Sequence, residues 1–170
     1  MRGLLRASGV SAIAGGALRI ADSFADLPPA ALALLYLATD VFLLAGIAGF
    51  WIGRLGRIGI VGRIGLAVFV AGILMVRASA FGLGAYQTGA TVALLGLAIY
   101  SVAALFRGPL WAPIAWLGAL AAGIAGAAGF ASTAMTALAG VLFGLGFIAA
   151  GIETLYGVPQ SAQTATSTVT

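Results

Sequence analysis

Long apolar runs alternate with short polar, proline or glycine breaks along the whole chain. Each run is roughly 20 residues long, the length that an α-helix needs to cross a bilayer. The runs cover residues 4–26, 30–53, 58–77, 88–106, 111–130 and 134–156. The pattern predicts an all-α fold, a polytopic transmembrane bundle of about six helices. Residues 1–157 would form this single domain, and the Ser, Thr and Gln of residues 158–170 a disordered polar tail.

The first run carries polar and small residues at helical spacing. They follow at steps of 3, 4, 4, 3 and 4: Ser8, Ser11, Gly15, Arg19, Asp22 and Asp26. On an α-helix these steps fall on one face, which we call the polar stripe. A charged face turned toward lipid costs several kcal/mol, so we expect it to face protein or water. We interpret this run as a retained helix rather than a signal peptide, because glycines interrupt its apolar part.

Asp40 is a carboxylate near the middle of the second predicted helix. Arg19 and Asp40 lie at similar distances from the Pro28-Pro29 turn, roughly 14–17 Å at 1.5 Å per residue. We therefore expect Arg19 to face Asp40, with Asp22 sharing the guanidinium. One interpretation is a buried ion pair that docks the two helices. The other is a proton relay or ion site formed by Arg19, Asp22 and Asp40.

Two further charged residues lie near the start of the third predicted helix and near the end of the sixth. Arg63 is one to two turns into the third helix, and Glu153 is one turn before the end of the sixth. Both fall within ~10 Å of the same membrane face. They predict either a salt bridge or an inner gate of a path that runs through Asp22 and Asp40.

Composition identifies an integral membrane protein that contacts the lipid bilayer. Of 170 residues, 62% are hydrophobic and 7% charged, and the mean hydropathy is +1.17. Cysteine, histidine and lysine are absent from the sequence, so we expect no metal site and no cofactor such as His-ligated haem or a lysine Schiff base. The arginines are dispersed between apolar runs, and a nucleic-acid partner is not expected.

Catalysis has few candidate groups in this sequence. An intramembrane aspartyl site needs two carboxylates that converge at one depth. Asp22 and Asp40 lie on different helices, with an arginine expected between them. No Gly-x-Gly-Asp motif and no dense aspartate motif for phosphotransfer occurs in the sequence. We therefore expect a protein that is not an enzyme.

The arginine positions predict the orientation in the membrane. Six fall on one side of a six-helix topology: Arg2, Arg6, Arg54, Arg57, Arg63 and Arg107. Arg77 falls near the other side, as an interfacial anchor. By the positive-inside rule both termini are cytoplasmic. Arginine in place of lysine and the abundance of alanine and glycine suggest a bacterium, hence its inner membrane. Trp51, Trp111 and Trp116 are expected at the cytoplasmic boundary.

Small residues predict close helix packing in the last two helices. Gly123 and Gly126 lie on the fifth helix, and Gly140 and Gly144 on the sixth. Ala122 with Gly126, and Gly140 with Gly144, have small-xxx-small spacing. Such faces serve either inside a bundle or between copies in a homo-oligomer or with another membrane protein. The sequence does not distinguish these two uses.

Similar glycine motifs recur when the chain is cut into three helical hairpins. Gly15-Gly16-Ala17, Ala71-Gly72-Ile73 and Ala122-Gly123-Ile124 match one another in the first helix of each hairpin. In the second helix Ala45-Gly46-Ile47, Tyr100-Ser101-Val102 and Ala150-Gly151-Ile152 match. This predicts an internal repeat. The hairpin rhythm and these triplets resemble the HdeD-type family of small six-helix bacterial membrane proteins. The resemblance implies a role in envelope or acid stress and transfers no catalytic residues.

Two functional hypotheses follow from the sequence. The first is a transport or channel-like protein for protons, a cation or a small polar solute, with a path along the polar stripe and Asp40. The second is a non-catalytic structural or accessory protein whose intramembrane charges dock helices. A hydrated path from Ser8 to Asp26 would favour the first, and a dry, sealed charge contact the second.

Overall fold

The computed structural model describes residues 2–54, 59–79, 81–84, 86–105 and 110–156. Within these ranges the regular elements are six α-helices: α1 (Arg2–Asp22), α2 (Pro29–Arg54), α3 (Gly59–Ser79), α4 (Tyr86–Leu105), α5 (Trp111–Ala127) and α6 (Ser132–Tyr156). This confirms the predicted all-α fold. The predicted polar tail, residues 158–170, lies outside the described residues.

Prolines and glycines set several of the helix ends. Pro29 occupies the first position of α2, where a proline ring fixes a helical φ and its missing N–H leaves no bond unmade. Gly129 follows α5 with a φ of 90°, and its N–H donates to the Gly126 carbonyl while the Phe130 N–H donates to the Ala125 carbonyl. This Schellman arrangement ends α5 at Ala127, before the predicted limit at residue 130.

The first helix is also shorter than predicted. It ends at Asp22 rather than at residue 26, and the backbone N–H groups of Ser23 and Phe24 close a turn onto Ile20 and Ala21. These bonds reach back three residues rather than four, so the helix tightens into a terminal turn before it reaches Pro28-Pro29. Asp26 therefore lies beyond the helix, and the last step of the predicted stripe is wrong.

The six helices form a ring in which neighbours run antiparallel. Helix α1 packs against α2 and α6, α5 packs against α4 and α6, and α3 packs against α4. The contact between α2 and α3 completes the ring and is the least extensive of these. Turns 23–28, 81–84 and 128–131 lie at one end of the ring, which we call the hairpin end. The start of α1 and the end of α6 lie at the opposite end.

Aromatic side chains fill the centre of the ring. Phe69 of α3 meets Phe143 and Phe147 of α6, with ring centroids 6.1 and 5.7 Å apart. Trp116 of α5 lies edge-on to Phe147 at 5.2 Å and to Tyr100 of α4 at 5.7 Å. Phe69, Trp116 and Phe147 are fully buried. Trp116 therefore packs in the core rather than facing lipid, and its depth in the membrane stays a prediction.

Five of the described helices are long and apolar enough to cross a membrane, namely α1, α2, α3, α4 and α6. Helix α5 is apolar but has 17 residues. At 1.5 Å per residue it is about 25 Å long, shorter than the ~30 Å hydrocarbon core of a bilayer. The chain is thus a multi-pass membrane protein with one helix shorter than the expected span.

The three hairpins α1–α2, α3–α4 and α5–α6 follow one another around the ring, but their junctions differ. The α6–α1 junction is extensive, the α4–α5 junction less so, and the α2–α3 junction least. A threefold repeat of one hairpin would favour similar junctions. The internal repeat stays a prediction.

Candidate functional site

Two members of the polar stripe, Ser8 and Gly15, pack directly against α2, and Ala12 between them does the same. The residue pairs are Ser8 with Gly49, Ala12 with Gly46, and Gly15 with Leu43. A Cβ added to Gly46 would lie 2.8 Å from the Ala12 Cβ, and one added to Gly15 would lie 2.9 Å from the Leu43 nitrogen. An added Cβ would overlap its neighbour at such a separation. The two helices α1 and α2 therefore leave no space between them at these positions.

The small residues of α6 pack against the neighbouring face of α1. Gly144 meets Gly16, and a Cβ added to either residue would lie 2.5 Å from the carbonyl oxygen of the other. One turn away, Gly140 lies beside Ser23 and Arg19. The Ser23 hydroxyl donates to the Arg19 carbonyl at 3.0 Å. Gly140 and Gly144 thus bring α6 against α1 within one chain.

The glycines of α5 also contact helices of the same chain. A Cβ added to Gly123 would lie 3.4 Å from Leu94 of α4, and one added to Gly126 would lie 3.3 Å from Met135 of α6. These separations are close to ordinary van der Waals contact, so the packing here is looser than between α1 and α6. The contacts of these glycines do not require a second copy of the chain.

The charged end of the polar stripe forms an ion pair near the hairpin end. The Arg19 guanidinium pairs with the Asp22 carboxylate one turn later on α1. The Asp22 side chain is 2% exposed, and the Tyr36 side chain of α2 lies beside it. Asp22 therefore has a polar neighbour on α2 as well as an arginine partner on its own helix.

Asp40 forms a second ion pair, with Arg77 of α3. Asp40 is at the twelfth position of α2, and Arg77 lies two residues before the end of α3 at Ser79. The Asp40 side chain is 12% exposed and that of Arg77 27%. This pair spans the α2–α3 contact, the least extensive in the ring.

The pairing corrects the expectation that Arg19 faces Asp40 as its partner. Arg19 and Asp22 lie within electrostatic range of Asp40, so these ionisable groups do assemble at one place. Asp40 reaches Arg77 because α3 runs antiparallel to α2 and brings its last turn alongside. We call Arg19, Asp22, Tyr36, Asp40 and Arg77 the charged cluster. Its two arginines and two aspartates balance in formal charge.

The charged cluster consists of ion pairs. Each carboxylate has an arginine partner, whereas the two carboxylates of a catalytic aspartate pair share one proton. Among the described residues no group of three or more Asp, Glu, His or Cys side chains could hold a metal ion. Arg19 and Arg77 keep 28% and 27% of their side chains exposed, which leaves the cluster partly open.

Arg63 and Glu153 lie at equal depth on helices that meet across the core. Phe69 contacts Phe147, and Arg63 and Glu153 are each six residues from this contact, toward the same end of the ring. Both are half-buried. The salt bridge between them stays a prediction.

Ser11 and Asp26, the remaining members of the polar stripe, differ in their surroundings. Ser11 is half-buried within α1, whereas Asp26 is exposed in the α1–α2 turn. The stripe thus passes from helix contacts to an ion pair and then to the surface. Its members do not share one environment.

Comparisons with known proteins assign no family. No family model, no curated protein and no solved structure matches this chain. What is established rests on the structure alone: the fold and the candidate membrane spans are those of a polytopic membrane protein.

Two members of the charged cluster were outside the predicted site. Tyr36 lies one turn before Asp40 on α2 and beside Asp22 of α1. Arg77 was expected to anchor at the membrane surface. A count of depth along two antiparallel helices would have found it: Asp40 is 14 residues from Arg54 and Arg77 is 18 residues from Gly59. Four residues correspond to about 6 Å, which an arginine side chain can span.

Proposed function

We propose that this chain is a non-enzymatic structural or accessory protein of a bacterial inner membrane, in which intramembrane charges dock helices. The observation that carries the proposal is the direct contact of Ser8, Ala12 and Gly15 with α2. A path along the polar stripe would need space at these three positions. The contacts instead resemble the small-residue interfaces with which membrane helices associate.

Two further observations support a docking role for the charges. Asp22 and Asp40 are each paired with an arginine, and each pair lies where two or three helices meet. The centre of the ring is filled by Phe69, Trp116 and Phe147, all fully buried. An ion moving from the charged cluster toward the opposite end would have to displace these side chains.

The second candidate function is transport of protons, a cation or a small polar solute. The partly exposed charged cluster favours it, because ionisable groups inside a membrane are costly and commonly serve ion pathways. In this alternative Asp40 and Arg77 exchange partners during transport, and Arg63 with Glu153 forms the inner gate. No nucleotide-binding motif is present in the sequence, so an ion gradient or a partner would supply the driving force.

Proteoliposomes separate the two functions. We would compare proton and cation flux for the wild type, Asp40→Asn, and Asp26→Asn as a matched control that removes an exposed carboxylate. The structural role predicts no flux in any of them and a loss of ~1–3 kcal/mol in stability for Asp40→Asn alone, because its arginine loses a partly buried partner. Flux in the wild type and in Asp26→Asn, but not in folded Asp40→Asn, would establish transport and overturn the structural role.

A stress-related role belongs to the same proposal. The resemblance to HdeD-type proteins and the hairpin rhythm support it. Deletion of the gene in its host should then lower survival in acid, and re-expression should restore it. Equal survival of deleted and wild-type cells would remove this part of the proposal while leaving the docking role of the charges intact.

A further inference from the structure

The contacts between neighbouring helices differ in extent around the ring. Close glycine contacts join α1 to α6, as at Gly16 and Gly144, and join α3 to α4, where Gly72 meets Ala93. The α2–α3 contact is less extensive than either. Helices held by backbone contact separate at a high cost in lost packing, so a change of shape is cheapest where such contact is limited.

An ion pair bridges this least extensive contact. Asp40 of α2 accepts from the Arg77 guanidinium of α3. The pair lies toward the hairpin end, above the aromatic core. A charge pair of this kind holds two helices together only while the aspartate is ionised, because a protonated carboxyl no longer attracts the guanidinium as an ion.

We propose that the ring opens between α2 and α3, and that protonation of Asp40 releases Arg77 and permits the opening. The groups around Asp40 are Arg77 on α3, Arg19 and Asp22 on α1, and Tyr36 one turn earlier on its own helix. When Arg77 leaves, the close contact of Ala12 with Gly46 keeps α1 attached to α2. Because α1 is held to α6 in the same way, α6, α1 and α2 stay together while α2 separates from α3.

The same argument locates the surface that opening would uncover. Ile73 lies one turn before Arg77 on the same face of α3, and Ile47 lies two turns after Asp40 on the same face of α2. Both are buried, 6% and 3% exposed, and both belong to the core. They should become accessible on opening, whereas a core residue of α4 should not.

The absence of cysteine from the sequence makes this opening measurable with single-cysteine variants. We would follow the rate at which a small maleimide labels Ile73→Cys in reconstituted protein at one fixed pH. Ser101→Cys on α4 is the control, because Ser101 is also buried and the substitution is nearly isosteric. Asp40→Asn, which stands for protonated Asp40, is added to each variant.

The proposal predicts that Asp40→Asn speeds labelling of Ile73→Cys at least about tenfold, the change in population that ~1.4 kcal/mol produces. Labelling of Ser101→Cys should stay unchanged. An equal rise at both positions would mean general loosening of the bundle, and no rise at either would mean that the pair does not hold the interface. Both results overturn the proposal.

Variants of Arg77 test the arginine side of the pair. Arg77→Gln should speed labelling of Ile73→Cys as Asp40→Asn does, whereas Arg77→Lys, which keeps the charge, should stay near the parent rate. Lowering the pH should raise the ratio of Ile73→Cys to Ser101→Cys labelling in the parent and leave it constant with Asp40→Asn. A pH-independent ratio in the parent would overturn the role of protonation. This opening adds a conformational change to the proposed function. Labelling tests the opening and flux tests the proposed function, so failure of one can be told from failure of the other.

Discussion

At the scale of single residues, the two aspartates inside the bundle take their arginine partners from different helices: Asp22 from α1 itself and Asp40 from α3. Arg19, Asp22 and Asp40 do gather at one place. The choice of partner was decided by α3, because Arg77 reaches Asp40 while Arg19 bonds to Asp22 on its own helix. Depth along the helices was predictable from residue counts. Which helices face each other depended on packing contacts that are far apart in sequence.

Tyr36 offers a test of the link between α1 and α2 at this scale. Tyr36→Phe removes the hydroxyl beside the buried Asp22 carboxylate, and we expect a loss of about 1 kcal/mol in unfolding free energy because Asp22 loses a polar neighbour. Asp22→Asn should cost more, because Arg19 loses its ionised partner in a partly buried site. Tyr156→Phe is the matched control, since Tyr156 is exposed at the end of α6. Unfolding in detergent measures all three, and equal stability of Tyr36→Phe and wild type would show that the Tyr36 hydroxyl contributes nothing.

At the scale of helices, the apolar pattern predicted all six elements and failed mainly at two ends. The runs were long and the breaks contained proline or glycine, so existence and type were well determined. Helix α1 stopped at Asp22 and α5 at Ala127. The partners of each helix were not predictable, because a small-residue face fits any similar face. Gly140 and Gly144 pack on α1.

The α1–α6 contact gives the prediction at this scale. Gly16→Ala would place a Cβ 2.5 Å from the Gly144 carbonyl oxygen, so one backbone must move, and we expect a loss of ~1–3 kcal/mol in stability. Gly3→Ala on the same helix is the matched control, because nothing lies within 4 Å of its added Cβ. It should be neutral or slightly stabilising, since alanine favours a helix. Similar losses in both variants would indicate that backbone flexibility, rather than the contact, matters at Gly16.

At the scale of the whole molecule, the ring combines one filled core with three unequal hairpin junctions. The number of helices that cross the membrane decides whether the two ends of the chain lie on the same side. Within the described residues α5 is antiparallel to α4, since Gly123 meets Leu94 and Trp116 meets Tyr100. It is antiparallel to α6 as well, since Gly126 meets Met135 and Gly118 meets Leu142. Its length of about 25 Å is short for a bilayer of ~30 Å. Six crossings place both termini on one side, whereas five place them on opposite sides.

Single cysteines resolve this question of topology, and we expect six crossings. The antiparallel packing of α5 supports a crossing, and local thinning of the bilayer can accommodate a short helix at a modest cost. We then expect that side to be cytoplasmic, because arginines lie near the N-terminal end. An impermeant maleimide should label Leu83→Cys and Ala131→Cys from outside intact cells, and Ala7→Cys and Tyr156→Cys only in inverted vesicles. Labelling of Tyr156→Cys from outside together with Ala131→Cys from inside would mean that α5 does not cross. Helix α5 would then lie at the membrane surface, and the ring would have to change on insertion.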